Sequence, residues 1–404
     1  MNIFSHDLIE AHSCCGCGAC AVACKFKAIN LQLNLEGFFE PRLDPGKCTH
    51  CGRCLQVCFK FLGKSDRITD FKQAVLFSAV SKDASVVSSC SSGGVAFELS
   101  RAALDDGRKV LGAIYDADNH KVVTRIASEK TELGAMRGSK YLQSYTPDAF
   151  LASLNDVDNK YLFVGTPCQI YGMRKLCELE GQVDRYTFVD FFCHGVPSYL
   201  VWQRHLSDTM KSRPNERLLS VGFRSKKFGW HSFCLEFCFS SGSLFQKENT
   251  SNFYKIFFDD VMLARSCYTC SICKRFGFSD LRIGDYWGAK YDENDTGVSI
   301  VAAPSDFGQK ILTSIRDRVV MQNESFTDNS AFLTNSNNYK IDEAIRKKIV
   351  EDISKGLSLS AIVDTYYALF PTKTRIGKKL RFLFSLLPAK VLKKIRKIYH
   401  RMRD

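Results

Sequence analysis

Two cysteine runs near the N-terminus constrain the fold of this chain more than any other feature. Both have the spacing Cys-x2-Cys-x2-Cys-x3-Cys, and their members are Cys14, Cys17, Cys20 and Cys24, then Cys48, Cys51, Cys54 and Cys58. Three thiolates at this interval wrap a tight loop around an iron-sulfur cubane, whereas the fourth lies on the next helical turn and points elsewhere. Zinc or a disulfide scaffold is the alternative, but zinc knuckles use two Cys-x2-Cys pairs rather than two complete runs. The runs therefore predict two [4Fe-4S] clusters.

The fourth cysteine of each run is predicted to serve the other cluster, as it does in two-cluster ferredoxins. One cluster then has the ligands Cys14, Cys17, Cys20 and Cys58, and the other has Cys48, Cys51, Cys54 and Cys24. The bacterial pattern places proline after the fourth cysteine, but Lys25 and Phe59 stand there. Because proline donates no ligand, this departure concerns loop geometry alone. Residues 1–65 are interpreted as a two-cluster ferredoxin domain, with Cys15 as a spare thiol.

Composition and charge exclude several other classes of protein. The chain has 404 residues, 18 of them cysteine, and 45% hydrophobic content, enough for more than one buried core. Its first ten residues carry an acid pair and no apolar signal region, so we expect a reducing, cytoplasmic compartment where cysteines bind metal. No apolar run approaches the ~20 residues that span a bilayer. The net charge is +13, but residues 373–404 hold twelve basic and one acidic residue, so the remainder carries +2 and nucleic-acid binding is not predicted.

Residues 72–330 show the alternation of a mixed α/β layer. Hydrophobic runs predict strands over residues 74–80, 110–116, 122–127, 161–164, 186–192 and 298–303, and helical spacing predicts helices over 94–106, 169–176 and 307–315. The predicted fold class is therefore α+β. A ferredoxin-like domain precedes an α/β body with an N-terminal part (72–150) and a C-terminal part (151–330), and a basic helical tail (339–404) follows a polar linker.

Two stretches of small residues are candidates for contact with an anionic ligand. Residues 91–94 are Ser-Ser-Gly-Gly and lead directly into a helix, where backbone N–H groups can approach an anion. Residues 138–141 are Gly-Ser-Lys-Tyr and place a cation and an aromatic ring beside a glycine. A serine N-cap with a flexible approach is the alternative interpretation of the first stretch.

Cys168 and His194 stand where ligands bind in α/β sheets. A predicted strand ends in Gly-Thr-Pro-Cys at residues 165–168, and the helix that follows favours the thiolate of Cys168. The next predicted strand ends in Cys193 and His194, and the histidine is a candidate proton donor. A buried structural cysteine and a hydrogen-bonded turn histidine are the alternatives.

At these loops the chain resembles the coenzyme F-420 hydrogenase/dehydrogenase beta-subunit family. The resemblance covers the ferredoxin module and the chain to about residue 330, and it rests on five ordered motifs: Ser-Ser-Gly-Gly, Gly-Ser-Lys-Tyr, Gly-Thr-Pro-Cys, Cys-His-Gly-Val-Pro-Ser and, at residues 280–288, Asp-x-x-x-Gly-Asp-x-Trp-Gly. Members of the family are flavoproteins that pass electrons between iron-sulfur clusters and bound FAD, and then to or from a substrate. Some reduce the deazaflavin, whereas ferredoxin-dependent chlorophyll-pathway reductases do not use it.

The resemblance implies a flavin site built from the small-residue loops. The cofactor-binding residues are expected to be Ser92, Gly93, Gly94, Ser139, Lys140, Tyr141, Gly165, Thr166 and Pro167, and the catalytic candidates are Cys168, His194 and Lys140. Lys140 is included because a fixed cation stabilises the negative charge of a reduced flavin ring. A Rossmann NAD site has no support, because the one Gly-x-Gly-x-x-small match, at residues 16–21, lies inside the first cluster loop.

A third cysteine loop predicts a further metal site. Cys267, Cys270 and Cys273 repeat the Cys-x2-Cys-x2-Cys spacing without a local fourth cysteine. The candidates for the fourth ligand are Cys193, which we assign, and Cys168, because both stand at strand ends. A third [4Fe-4S] cluster is predicted, with a zinc ion as the alternative. Four further cysteines lack ligand spacing and are predicted core thiols: Cys90, Cys177, Cys234 and Cys238.

The tail has the pattern of two basic amphipathic helices separated by Pro388. Apolar residues recur at helical spacing between the basic ones, at Ile376, Leu380, Leu383 and Leu387, then at Val391, Ile395 and Ile398. Such helices lie on anionic membrane surfaces, so we expect a peripheral position on the inner membrane face. A solvated face that docks on an acidic partner is the alternative.

The resulting hypothesis is an iron-sulfur flavoprotein that reduces or oxidises a small molecule. Its redox partner is a ferredoxin-like donor protein or reduced deazaflavin, and the family resemblance includes bacterial relatives that accompany polysaccharide biosynthesis enzymes. A non-catalytic electron-transfer subunit of a larger hydrogenase- or dehydrogenase-type complex is one alternative. A cluster-bearing scaffold without flavin is another. Stoichiometric FAD, and substrate turnover by the isolated chain, distinguish the three.

Overall fold

A computed structural model describes residues 14–61, 73–273, 276–326 and 340–385 of the chain. The strands of these residues are β1 (Ile29–Leu33), β2 (Phe39–Leu43), β3 (Val75–Ser81), β4 (Lys109–Asp116), β5 (Lys121–Ala127), β6 (Ser144–Tyr145), β7 (Tyr161–Gly165), β8 (Tyr186–Phe191), β9 (Leu218–Gly222), β10 (Cys234–Phe239), β11 (Gly242–Lys247), β12 (Leu281–Asp285), β13 (Ser299–Ala303) and β14 (Val319–Glu324). The six strands that hydrophobic runs predicted are all present, with ends displaced by a residue or two.

The helices begin with two short ones in the cysteine-rich module and end in the basic tail. They are α1 (Ala19–Ala23), α2 (Arg53–Gln56), α3 (Ala84–Ser89), α4 (Val95–Asp105), α5 (Leu133–Met136), α6 (Pro147–Asn155), α7 (Pro167–Leu179), α8 (Tyr199–Lys211), α9 (Asn252–Phe258), α10 (Arg265–Tyr268), α11 (Asp306–Thr313), α12 (Glu343–Ser354), α13 (Leu359–Tyr367) and α14 (Thr372–Ser385). Among the described helices, none has the length and hydropathy needed to cross a membrane. The predicted linker at 327–338 and the second tail helix lie outside the described residues.

One mixed sheet organises the body. Its order is β14-β3-β13-β12-β8-β7-β4-β5-β6 among the described strands. The strands β12, β8, β7 and β4 are parallel, whereas β13, β3 and β14 continue the sheet in antiparallel pairs. Helices cover both faces, with α4 and α11 in one hydrophobic cluster and α6 and α7 in another. Strands buried on both faces read as continuous apolar runs, which is why β7 and β8 were recognisable in the sequence. The predicted mixed α/β architecture is confirmed.

The motif-bearing loops gather at one edge of this sheet. β7, β8 and β12 are parallel and end at Gly165, Phe191 and Asp285. β13 starts at the same edge, where Ser299 pairs with Asp285. The Ser-Ser-Gly-Gly loop is fixed there, because the Gly93 N–H donates to Ser299 Oγ at 3.0 Å. This carboxyl edge is where ligands bind in open α/β sheets.

Helices α12 and α13 complete the main hydrophobic core. Their buried side chains, such as Ile345, Ile349 and Tyr366, join the cluster that contains Trp202 of α8 and Phe253 of α9. The sequence analysis placed both helices in the tail, whereas the structure packs their apolar faces into the body. A local hydrophobic pattern does not reveal which surface a helix covers. We therefore keep the name tail for residues 371–404.

Candidate redox centre

Cys24 lies with the second cysteine run around one cavity. This outer cavity has a volume of about 310 Å³, partly open to solvent, and its cysteines are Cys24, Cys48, Cys51 and Cys54. Cys54 is buried and Cys51 is exposed, so the cavity reaches from the module's interior to its surface. The backbone N–H of Arg53 lowers the pKa of the Cys51 thiol. A thiol held towards its thiolate form suits metal ligation.

Cys58 lies with the first run around a second, inner cavity. Its volume is about 530 Å³, including open space, and its cysteines are Cys14, Cys15, Cys17, Cys20 and Cys58. Burial raises the pKa of Cys14 and Cys20, and burial together with Cys17 raises that of Cys58 to about 12. Buried thiols packed this closely become thiolates only when a cation compensates their charge. The donor set of each cavity therefore fits an iron-sulfur cluster.

The two cavities have the crossed cysteine grouping that the spacing predicts. Each combines three cysteines of one run with the fourth cysteine of the other. In the described residues, no three His, Cys, Asp or Glu side chains converge on the position of a single metal ion. The individual ligands remain predictions.

The cysteine-rich module is fixed to the body by polar contacts with the loop before α6. Gln143 accepts a hydrogen bond from the Phe39 N–H at 2.7 Å and donates one to the Cys15 carbonyl at 3.1 Å. Thr146 Oγ1 donates to the Cys17 carbonyl at 2.7 Å. A Cβ atom at Gly172 of α7 would lie 3.1 Å from Cys17 Sγ and 2.9 Å from the Ala19 Cβ. The inner cavity therefore lies directly against the first turns of α7.

Cys168 links this module to the third cysteine loop. The capping box of Thr166 and Gln169 starts α7, with the Thr166 N–H donating to Gln169 Oε1 at 3.1 Å, and this places Cys168 in the first turn. The thiols of Cys15 and Cys168 are hydrogen-bonded. Cys15, interpreted above as a spare thiol, thus connects two chain segments more than 150 residues apart.

Cys193 and Cys168 both adjoin the loop of Cys267, Cys270 and Cys273. Burial raises the pKa of Cys193 well above its usual range, and Cys267, Cys168 and Cys270 add to the effect. Burial also raises that of Cys267 to about 12, while a hydrogen bond from Cys273 lowers that of Cys270 to about 6. The structure thus brings the five thiols together and leaves Cys193 and Cys168 both available as the fourth ligand. Three cysteines without ligand spacing, Cys90, Cys177 and Cys234, are buried, and Cys238 is half-buried.

A buried ion pair supports the third cysteine loop. Arg282 of β12 donates to both carboxylate oxygens of Asp190 on β8, at 2.7 and 2.6 Å, and to the Cys273 carbonyl at 2.8 Å. Both side chains are 1% exposed. Sequence reasoning quoted Arg282 inside a motif without giving it a role. Its position inside a strand, between two apolar residues, was the signal available.

His194 is paired with a carboxylate that the sequence analysis did not find. His194 Nε2 lies 2.7 Å from Asp260 Oδ1, and its ring packs edge-on against Phe257 at 5.2 Å. Asp260 has a φ of 57°, a left-handed conformation that Asp tolerates better than most residues. No local sequence pattern predicts this pairing, because 66 residues separate His194 from Asp260.

The Ser-Ser-Gly-Gly and Gly-Ser-Lys-Tyr loops are in direct contact. Ser139 donates to Ser91 Oγ from its backbone N–H at 2.7 Å. Lys226 holds the first loop from the other side, because its Nζ donates to the carbonyl oxygens of Val87 and Ser92 at 2.7 and 2.6 Å. The two predicted flavin loops therefore form one surface, and Lys226 is a residue of that surface that sequence reasoning missed.

Positive charge is concentrated beneath these loops. Arg137, Lys140 and Lys226 all act on the thiol of Cys90, although burial is the larger effect and raises its pKa. Arg224 is completely buried, stacks over Phe233 at 3.7 Å, and leaves its Nε and Nη2 atoms without a hydrogen-bond partner among the described residues. Two carboxylates, Asp285 and Glu98, oppose these four cations. The group therefore has net positive charge.

Lys140 is half-buried, and its charge depends on pH near neutrality. Its Nζ donates to the carbonyl oxygens of Ala135 and Arg137 at 3.0 and 2.8 Å. Burial lowers its pKa to about 7. The next residue, Tyr141, packs against Phe257 with ring centroids 5.0 Å apart. The sequence analysis expected a cation here, and burial leaves only part of its charge at pH 7.

The cysteine-rich module and the C-terminal part of the body both match known families. Residues 13–60 match the 4Fe-4S dicluster domain, so the predicted iron-sulfur module is confirmed. Residues 158–329 match the family described as the C terminus of the coenzyme F420 hydrogenase/dehydrogenase beta subunit. This part of the chain is therefore similar to the beta-subunit family. The matched region contains the third cysteine loop, Cys168 and His194, so the resemblance found in their motifs is confirmed.

Two individual proteins resemble parts of this chain. A segment of 49 residues is 41% identical to one subunit of the Na(+)-translocating ferredoxin:NAD(+) oxidoreductase complex of Acetobacterium woodii, covering 12% of this chain and 14% of that protein. The chain thus matches only a small part of that relative. The solved F420-reducing [NiFe] hydrogenase complex of Methanosarcina barkeri contains a chain with a TM-score of 0.49 and 15% identity, covering 72% of this chain and 97% of its own length.

Proposed function

We propose that this protein is an iron-sulfur flavoprotein oxidoreductase, in which electrons pass between [4Fe-4S] clusters and FAD and thereby reduce or oxidise a small molecule. The observation that carries the proposal is the continuity of three cysteine groups. The outer and inner cavities adjoin through Cys54 and Cys20, and the inner cavity adjoins the third group through Cys15 and Cys168. The series leads from an exposed cysteine to the sheet edge where the motif-bearing loops lie.

The surface formed by residues 91–94 and 137–141 fits a flavin dinucleotide. A dinucleotide carries a diphosphate, which buried cations and loop N–H groups stabilise. The four basic groups Arg137, Lys140, Arg224 and Lys226 outnumber the nearby carboxylates. Two nitrogen atoms of Arg224 have no hydrogen-bond partner among the described residues, and one of them, Nη2, lies 3.8 Å from Asp285 Oδ2. Bound FAD would supply two-electron chemistry that one-electron clusters lack. The exact contacts of Ser92, Gly93, Gly94, Ser139 and Tyr141 with it are part of the proposal.

Individual residues of the chain are assigned the roles of proton donor, charge stabilisation and cluster ligation. His194, whose Nε2 atom is oriented by the Asp260 carboxylate, is the candidate proton donor. Lys140 stabilises negative charge when it is protonated. Cys168, in the first turn of α7, stands between the inner cavity and the third cysteine group. We assign a third [4Fe-4S] cluster to that group, with Cys193 as the fourth ligand.

Anaerobic purification with iron, sulfide and FAD quantified tests the proposal. Two clusters require about eight irons and three require about twelve, and the flavin should approach one FAD per chain. Clusters without FAD would contradict the oxidoreductase proposal and favour the non-catalytic electron-transfer subunit. The isolated chain should also turn over a small substrate when reduced by a ferredoxin-like protein or by reduced deazaflavin. A role in polysaccharide biosynthesis is part of this proposal and rests on the family resemblance alone.

A glycine pair provides a sharper test of the flavin position. Gly94 and Gly107 flank α4 and have φ angles of 86° and 71°, so leucine at either position meets similar backbone strain. A Cβ at Gly94 would lie 2.8 Å from Val86 Cγ1, whereas a Cβ at Gly107 has nothing within 4 Å. Gly94→Leu should lose FAD and keep its cluster signals in electron paramagnetic resonance (EPR). Gly107→Leu should keep both, and equal loss of FAD in the two variants would contradict the assignment.

The tail completes the proposal. We place the protein in the cytoplasm, where thiols stay reduced, with its tail on an anionic membrane surface. In α14, Ile376 and Leu380 are exposed, at 55% and 47%. Lys378 of the same helix contacts Asp259 and lies over the ring of Phe370 at 4.6 Å, which joins the start of the tail to the body. An exposed apolar stripe with basic neighbours supports binding to a membrane interface.

A further inference from the structure

The outer cavity opens on a basic rim with one exposed aromatic ring at its centre. Phe26 lines the cavity and is 51% exposed. Lys25 and Lys27 flank it in the chain, and Lys47 stands next to Cys48. The side chains of Lys25 and Lys47 are 62% and 60% exposed. Arg53 lines the cavity itself, and the three lysines are the chain neighbours of the lining residues Phe26 and Cys48.

Two carboxylates in this region leave the rim positively charged. Asp44 lies 3.0 Å from Lys47, and Glu180 contacts Arg53 and lies 3.6 Å from Lys25. Four basic groups against two acidic ones leave a net positive surface. Cys51, the exposed cysteine of the outer group, is in the middle of it. The inner and third groups lie deeper, so the outer group offers the shortest route for an electron from solution.

We propose that this basic rim, Lys25, Lys27, Lys47 and Arg53 around Phe26 and Cys51, is the docking surface for a small acidic electron-transfer protein. The inference rests on the proposed function, because it supplies the electron donor of the same chain of clusters. An acidic carrier is favoured by charge complementarity, which raises the rate of encounter without requiring a large interface. One exposed aromatic ring within a charged rim suits the small, short-lived interfaces of electron-transfer pairs.

The redox step at this surface is a single-electron transfer. A cluster held by Cys24, Cys48, Cys51 and Cys54 would gain one electron in each encounter while the donor's reduced cluster lost one, with no bond made and no proton moved. Two encounters supply the electron pair that a two-electron substrate reduction consumes. The oxidised donor then leaves, which a small interface permits.

Charge reversal with a matched control tests the docking surface. The test variant is Lys25→Glu with Lys27→Glu and Lys47→Glu in one chain, and the control reverses three exposed lysines elsewhere on the surface, Lys310, Lys347 and Lys355. Both are compared with wild-type holoprotein in stopped-flow reduction by a reduced acidic two-cluster ferredoxin. At low salt the test variant should react roughly tenfold more slowly or worse. The wild-type rate should fall steeply as salt increases, whereas the test variant's rate should rise, because its three new carboxylates repel the acidic donor and salt screens that repulsion.

Two further measurements distinguish failure of this inference from failure of the proposed function. Cluster content by EPR, and reduction by a methyl viologen radical cation, should be the same or faster in the test variant, because a cation is no longer repelled. Equal slowing of the control variant, or a wild-type rate independent of salt, would overturn the docking surface while leaving the cluster proposal intact. If the test variant instead loses binding to anionic vesicles and keeps its reaction with ferredoxin, the rim is a membrane surface and the inference is wrong. Absence of clusters in wild-type protein would contradict the proposed function itself.

Discussion

Cys24 and Cys58 stand in the positions that distinguish crossed from uncrossed ligation. Each is the fourth cysteine of one run but lies in the cavity lined by the first three cysteines of the other run. The short helices α1 and α2, which carry the runs, pack against each other. The three residues between the third and fourth cysteines of each run therefore turn the fourth cysteine towards the loop of the other run. The assignment of individual ligands thus depends on the contact between two helices.

Serine at Cys24 and at Cys58 should therefore damage different clusters. Cys24→Ser should weaken the signal of the outer cluster, and Cys58→Ser that of the inner one, because each removes one thiolate of four. EPR-monitored reduction with iron analysis measures the effect. Cys238→Ser, a half-buried cysteine on β10, serves as the control and should change neither signal. The same signal lost in both test variants would contradict the crossed assignment.

Lys140 shows how burial changes the chemistry of one residue. Burial lowers its pKa to about 7, against the usual value of 10.5. Between these values the unfolded chain binds more protons at this site than the folded chain, so Lys140 makes the free energy of unfolding increase with pH. The cost of burying its charge is fully present below pH 7 and disappears as pH rises.

Lys140→Met should remove this dependence. Relative to wild type, the variant should be most stabilised at pH 7 and below, and the difference should shrink by up to about 1.4 kcal/mol per pH unit above it. Denaturant unfolding of both proteins between pH 6.5 and 9.5 measures the difference. Lys355→Met, at an exposed position, should show no such trend. A constant difference between Lys140→Met and wild type across the range would contradict the buried, titrating lysine.

At the scale of elements, the β1–β2 hairpin holds the cysteine-rich module against the C-terminal helices. Glu36 of the hairpin turn accepts two hydrogen bonds from Arg346 of α12, both at 2.7 Å, and two from Arg265 of α10 at 3.0 and 3.3 Å. Arg346 is 1% exposed. Gly37, with a φ of 80°, approaches Leu200 so closely that a Cβ atom would collide with its backbone N. Three distant parts of the chain therefore meet at one carboxylate.

Glu36→Gln should weaken this junction most at neutral pH. Burial raises the pKa of Glu36, but the hydrogen bonds from Arg346 and Arg265 outweigh it and lower the value to about 2. The stabilisation is present above the usual pKa of 4.5 and is lost as pH falls towards 2. At pH 7 the loss should be about 2 kcal/mol, less than a fully buried pair because Glu36 is partly exposed. The difference from wild type should shrink as pH falls from about 4.5 towards 2.

Amide hydrogen exchange of the hairpin and of α12 reports this junction directly. Glu343→Gln is the matched control, since Glu343 also pairs with Arg265 but its side chain is 62% exposed. Its effect should stay below about 0.5 kcal/mol. If both variants lose protection equally, the junction does not depend on the buried carboxylate.

At the scale of the whole molecule, charge is separated between body and tail. Residues 373–404 carry +11 of the total +13. Each basic residue near an anionic lipid surface contributes about 1 kcal/mol before screening, and apolar insertion adds to it. Affinity for such a surface therefore resides in one removable segment.

A chain that ends at Phe370 should lose membrane binding and keep its redox chemistry. The full chain should co-sediment with anionic vesicles, less so at high salt because screening shortens the reach of its charges. Neutral vesicles provide the control for the electrostatic part. Equal binding by the full and shortened chains, or no binding by either, would contradict the membrane role and favour an acidic protein as the tail's partner.

Local patterns determined a large part of this protein. Ligand spacing within a cluster loop spans a few residues, so the cysteine runs alone predicted the two-cluster module and its crossed grouping. Strands β7 and β8 were equally clear because both faces of a central parallel strand are buried. The Gly-Thr-Pro-Cys motif indicated the start of α7, since its capping box needs only four residues.

Only the tertiary structure decided which distant groups meet. The pairs His194 with Asp260, Arg282 with Asp190 and Glu36 with Arg346 join residues 66, 92 and 310 positions apart. No repeating sequence pattern marks such pairs, because the two charged residues become neighbours only when the chain folds. The same is true of Cys15 with Cys168, of Lys226 beneath the Ser-Ser-Gly-Gly loop, and of α12 and α13, whose amphipathic patterns do not specify the surface they cover. The sequence therefore determined the chemistry of the groups, and the packing of the sheet and its helices determined which of them act together.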